Sequence, residues 1–118
     1  MDMKYTDLAD GIRKIDLTGR LDIEGANAID LPFTALTSTQ CCFVVVDLEG
    51  VEFLASIGIA TLVRNAKALR LREGYMVLMN PRANVAKVLA TTRIDSVLPV
   101  FQSLEEARQA LRAGPSPL

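Results

Sequence analysis

The chain has 118 residues, half of them apolar, and a formal net charge of −1 from 13 Lys+Arg and 14 Asp+Glu. That length makes one domain whose core needs no metal or disulfide, and the charge balance gives no reason to expect nucleic acid or an anionic membrane as partner. Histidine is absent, which excludes Ser-His-Asp and Cys-His catalysis, His-ligated zinc and a histidine proton shuttle.

Met3 to Ala9 and Gly11 to Thr18 read as two strands joined at the Asp10-Gly11 turn. In the second strand Ile15 and Leu17 alternate with Lys14, Asp16 and Thr18, so one face is apolar and the strand belongs near a sheet edge, ended by Gly19. Asp22 is an N-cap for a helix reaching Thr37, with Ala26, Ile29, Phe33 and Leu36 on one face. Pro32 within it predicts a bend or a restart near Asp30. Cys41 to Leu48 is apolar almost throughout and β-branched, the pattern of a central strand buried on both faces. Adjacent strand residues point to opposite faces, so Cys41 and Cys42 do not bridge each other and are expected to pack.

Glu49 to Ala55 reads as a loop, and Ser56 to Arg72 as a helix capped by Ser56 and stopped at Gly74. Tyr75 to Met79 is a second fully apolar strand. With the helix before it, this makes a right-handed βαβ unit of adjacent parallel strands. Asn80-Pro81 starts a further helix, Val97 to Phe101 is a last short strand, and Ser103 with Glu106 forms a capping box for a final helix. The expected fold is α/β: a mixed four- or five-stranded sheet with an N-terminal antiparallel hairpin, central parallel strands and about four helices. Residues 1–112 form the domain and 113–118 a disordered tail. The N-terminus has no signal-peptide pattern, and the longest apolar run is far below the ~18 residues that span a bilayer. A reducing cytoplasm is the expected location.

Ligands of open parallel sheets gather at the carboxyl ends of the strands. Ser56 stands there, at a helix N-terminus whose unsatisfied N–H groups and positive dipole end favour an anion such as phosphate. Capping alone also explains a serine in that place. Asp47 and Glu49 read as solvated or capping carboxylates, and Arg64, Lys67, Arg70 and Arg72 as a solvated basic stripe able to steer an acidic partner. No glycine-rich phosphate cradle, nucleophile–base pair or metal-ligand cluster is present, so the chain is expected not to be an enzyme and to need no cofactor or metal.

The run Val44-Val45-Val46-Asp47-Leu48-Glu49-Gly50-Val51-Glu52-Phe53-Leu54-Ala55-Ser56-Ile57-Gly58-Ile59 resembles the signature of STAS-domain anti-sigma factor antagonists. Leu17 to Asp22 resembles their L-x-G-x-L-D entry to the first helix. Pro81 to Asp95 and Ser103 to Ala107 are similar to their later segments, so the resemblance spans nearly the whole chain. It implies a bacterial transcription-regulating phosphoprotein that works by partner switching. The unphosphorylated form binds a partner that is both anti-sigma factor and serine kinase, phosphorylation releases it, and a serine phosphatase resets the switch. Carried onto this chain, Ser56 is the acceptor. Asp22, Leu54, Ala55, Ser56, Ile57, Gly58 and Ile59 form the partner-binding face, on a monomer or weak dimer. Three residues depart from the family pattern: Ala55 replaces an aspartate, Ile57 a second Ser/Thr and Arg93 a glycine. Those at 55 and 57 keep open an alternative, a non-phosphorylated scaffold of the same fold in a signalling or lipid-transport assembly.

Overall fold

Strands β1 (Asp2–Asp7) and β2 (Ile12–Leu21) form the expected antiparallel hairpin in the computed structural model, which describes residues 1–38 and 43–114. β2 then pairs parallel with β3 (Phe43–Leu54), β3 with β4 (Tyr75–Met79) and β4 with β5 (Val100–Phe101), giving a five-stranded mixed sheet in sequence order. Four α-helices accompany it among the described residues: α1 (Ile23–Ser38), α2 (Ser56–Leu71), α3 (Ala83–Thr91) and α4 (Leu104–Ala113). The two segments expected at the centre are adjacent and parallel there from Phe43 onward. Cys41 and Cys42 lie outside the described residues, as does the tail from Pro115.

The sheet is covered unequally. On one face Ile15, Leu17, Val44, Val46 and Leu78 meet Phe33 of α1, Leu62 of α2 and Val85 of α3. On the other, Ile12, Val45, Val77 and Met79 are covered by Ala107 and Leu111 of α4. β3 and β4 are thus buried on both sides, which is why they read as continuous apolar runs. α4 leaves the far part of β2 uncovered. There Lys14 pairs with Asp16 at 2.5 Å and with Asp47 at 3.6 Å. Burial works against the Lys14 ammonium, but these carboxylates outweigh it and hold its pKa above the ordinary lysine value.

Five local expectations are corrected. Glu49 to Leu54 is not a loop: β3 continues to Leu54 beside an equally extended β2, which runs through Gly19 to Leu21. Gly19 takes a φ of +117°, and the register shifts nearby absorb the irregularity that the glycines signal. β4 ends opposite Asp47, so the outer edge of β3 beyond that point has no strand partner. It is sealed by side chains instead: Arg82 Nε donates to the Glu49 carbonyl and Asn84 Nδ2 to the Glu52 carbonyl, each at 2.8 Å.

The second correction concerns α1, which does not restart near Asp30 but runs as one helix through Pro32. Pro32 forfeits the bond to the Ala28 carbonyl, but both residues are exposed, so water can satisfy that oxygen. Third, α3 begins at Ala83 with Arg82 as N-cap rather than at Asn80-Pro81. The Asn80 N–H is drawn into the sheet by the Phe101 carbonyl at 2.9 Å, with Asn80 at a φ of 54°. Fourth, the last strand is shorter than Val97 to Phe101, because Val97 closes a 3₁₀ turn over Ile94–Ser96. Ser103 caps α4 as expected, accepting from the Glu106 N–H at 3.2 Å.

The fifth correction lies at the end of α2. Glu73, not Gly74, takes the left-handed conformation, with a φ of 64°. The Gly74 N–H reaches the Leu69 carbonyl at 2.7 Å and the Glu73 N–H reaches that of Arg70 at 3.1 Å, a Schellman closure. A side chain in this conformation is strained, so Glu73→Gly is expected to raise stability by about 1 kcal/mol. The check is a higher urea midpoint at unchanged m-value.

Candidate functional site: the junction of β3 and α2

The ends of β2 and β3 are stitched together at the carboxyl edge of the sheet. Leu21 pairs with Leu54, and the Ala55 N–H donates to the Leu21 carbonyl at 3.0 Å. The turns that follow, into α1 and α2, are therefore neighbours, and the two helices start from the same edge of the sheet. α1 is capped by Asp22, whose Oδ1 accepts the Gly25 N–H at 2.9 Å. That backbone bond, aided by Arg20 at 3.5 Å, holds the Asp22 carboxyl below the ordinary carboxylate range. The sign follows: the cap's contribution is complete above the unfolded carboxylate pKa of about 3.9 and is lost as pH falls through the lower folded value. Asp22→Asn is expected to flatten this part of the acid-unfolding curve, read from urea midpoints across the acid range.

α2 starts differently. Its N-cap is Ala55, in extended conformation, which supplies no side-chain oxygen, and the first turn carries no acid. Ser56 is thus the first helical residue and not the cap expected for it. The first intrahelical bonds run from Gly58 and Ile59 to the Ala55 carbonyl at 3.0 and 3.1 Å. The N–H groups of Ser56 and Ile57 precede that ladder and are directed outward at the positive end of the helix.

The seven residues of the candidate face separate by burial. Ser56 and Ile57 are exposed, while Ala55 and Asp22 are partly so. Leu54 and Ile59 are core residues, at 4% and 8% exposure. Gly58 is buried beneath the site, where a Cβ would stand 2.6 Å from Leu21 Cγ and 2.9 Å from the Leu21 carbonyl oxygen. Its absence of side chain lets α2 close onto β2. Leu54, Gly58 and Ile59 therefore set the position of the face from within.

Three residues that sequence reasoning did not single out complete the surface. Phe53 and Ile23 are exposed apolar side chains at 38% and 65%. Arg20, paired with Phe53 in the strand register, lays its guanidinium over the ring at 4.5 Å from the centroid. Beside them a cleft of about 400 Å³ is lined by Arg20, Asp22, Glu24 and Gly25, with Met1 and Ala28. Phe53 was hidden because its segment reads as a loop. Ile23 was hidden because it falls on the solvent side of the helical period that marks the core. Among the described residues no group of acidic and thiol side chains could hold a metal ion, and no helix is long and apolar enough to cross a membrane. The site offers a hydroxyl, an open helix terminus and an apolar rim beside the Arg20 cation. That arrangement suits recognition of a protein surface, and it suits acceptance of an anion on the hydroxyl.

The model of the STAS domain family matches residues 6–107. The chain belongs to the STAS domain family. Within it, the chain is 29% identical over 111 residues to BtrV of Bordetella bronchiseptica, named as a candidate anti-sigma factor antagonist; the match covers 93% of this chain and 96% of BtrV. The structure of an anti-sigma factor antagonist (STAS) domain protein from Planctomyces limnophilus superposes with a TM-score of 0.81 at 30% identity, covering 92% of this chain and 96% of that one. The anti-sigma factor antagonist SpoIIAA of Bacillus, in its unphosphorylated form, shares the fold with a TM-score of 0.78 at 19% identity over 98% of this chain and 100% of its own. SpoIIAA is also known in a phosphorylated form, which matches with a TM-score of 0.69 at 18% identity over 92% of this chain and 97% of that one. The expected STAS fold, a single α/β domain with a mixed five-stranded sheet, is what the chain adopts.

Proposed function

We propose that this STAS domain is an anti-sigma factor antagonist that works by partner switching in the cytoplasm, without catalysis of its own. Unphosphorylated, it binds an anti-sigma factor that is also a serine kinase, through Ser56, Ile57, Ala55, Phe53, Ile23 and the Asp22 turn. Phosphorylation of Ser56 releases that partner, and a serine phosphatase restores binding. The observation that carries this reading is the exposed Ser56 hydroxyl at the start of an α2 that has neither a side-chain cap nor an acid in its first turn. An aspartate at position 55 would compete with a phosphate for these N–H groups. Alanine there leaves them open to one. The test is intact mass and phosphopeptide mapping of the chain incubated with the anti-sigma kinase and ATP. One phosphate on Ser56 and none on Ser56→Ala is the expected result. Stable capture in a large complex without modification would point instead to a scaffold role.

A further inference from the structure

A second concave surface lies at the other end of α2, away from Ser56. It is an open groove of about 400 Å³ between the last turns of α2 and the start of β4, walled by Ala66, Leu71, Tyr75, Met76 and Val97. Lys67 and Arg70 also line it, and among the described residues no carboxylate does. That volume is within the range of small-molecule sites, which are mostly apolar with a few placed polar groups. Leu71 and Val97 stand 88% and 42% exposed along its rim, leaving apolar area uncovered.

Neither Lys67 nor Arg70 forms an ion pair among the described residues, whereas Arg64 on the same helix is paired with Asp30. A cation in a last helical turn can serve to cap carbonyls. Here the Leu69 and Arg70 carbonyls are already taken by the N–H groups of Arg72, Glu73 and Gly74. Arg70 instead lies over the Tyr75 ring, 5.8 Å from its centroid, with its guanidinium at the groove. A second copy of the chain is a poor occupant, because a two-fold contact here would bring Lys67 and Arg70 against their own equivalents.

We propose that this groove binds a small amphipathic carboxylate, its apolar chain against Tyr75, Met76 and Val97 and its carboxylate on Arg70 and Lys67. An Arg fork and a lysine ammonium suit a carboxylate, while the walls are mostly apolar, with the Tyr75 hydroxyl as their one polar group among the described residues. The proposal is independent of the role given to Ser56.

The test is an amide chemical-shift titration of the full chain with decanoate, decanol and decyltrimethylammonium, each below its aggregation threshold. Decanoate is expected to shift Ala66 to Leu71, Tyr75, Met76 and Val97, and to bind about tenfold more tightly than decanol. Lys67→Gln with Arg70→Gln, both exposed positions, is expected to remove that advantage while decanol still binds and the chain stays folded in thermal melts. Val97→Glu, placing a like charge at the rim, is expected to weaken decanoate further. Equal binding of decanoate and decanol, shifts that map elsewhere, or no saturable binding in the millimolar range would overturn the assignment. So would binding of an acidic peptide at these residues where decanoate fails.

Discussion

Ser56→Asp and Ser56→Glu chains are expected to bind the anti-sigma kinase about 100-fold more weakly than the unmodified chain, and Ser56→Ala to bind it constitutively. The surroundings of the hydroxyl set the size of this loss. Ile57, Phe53 and Ile23 present apolar surface that a partner must dehydrate, and Arg20, the cation beside Phe53, is already engaged by Asp22 and by the Phe53 ring. A phosphate brings roughly −1.5 to −2 charges at pH 7. Exposed, that charge is welcome at the open end of α2 and should leave the fold intact. Covered by a partner, it would be buried without a matching cation, which costs several kcal/mol. The measurement is calorimetry of each variant against the kinase partner, with thermal melts to show equal folding. Wild-type affinity in Ser56→Asp would remove the switch.

Gly25→Ala is expected to lower stability by about 3 kcal/mol, at the upper end for overpacking, although alanine is ordinarily the better helix former. A Cβ at this position would stand 2.0 Å from the Arg20 carbonyl oxygen and 3.4 Å from Asp22 Oδ1. The first clash is with main chain near the end of the sheet's longest parallel pairing, so it cannot be relieved by a rotamer change. Relief must come from moving the start of α1, which stretches the bond from Gly25 to Asp22. Urea unfolding measures the loss. A binding assay at low temperature should show weaker partner affinity as well, since the Asp22 turn borders the face. An unchanged midpoint would mean that the end of β2 yields more easily than its hydrogen bonds suggest.

The βαβ centre was legible because burial on both faces leaves an unbroken apolar run, as in Tyr75 to Met79, and no other element explains such a run in a short segment. The Asp22 cap was legible for a similar reason, since its chemistry is local. What escaped was decided by distant partners. Glu49 to Leu54 carries loop residues, yet it is a strand because β2 runs beside it and because Arg82 and Asn84, some thirty positions later, supply its missing bonds. Asn80-Pro81 has a strong local helix signal, overruled by the Phe101 carbonyl. At the site, Ser56 is exposed, but the motif could not separate Ile57, which faces out, from Leu54 and Ile59, which face in. That division depends on how α2 closes over Leu21, and Gly58 permits that closure only in three dimensions.

The bracing of β3 by two side chains has a consequence in time. Amides of the inner strand segment can exchange with solvent only when the sheet itself comes apart. Those from Glu49 to Leu54 lie beyond the reach of β4, and their outer edge is closed by two hydrogen bonds that can break singly. This segment, paired on its inner side with β2 alone, is expected to open at a lower free energy than Val44 to Asp47, and it is the segment that carries Phe53 to the surface and leads into Ser56. The stiffness of the proposed recognition face would be set in part from the entrance of α3, by residues that a partner on that face need never touch.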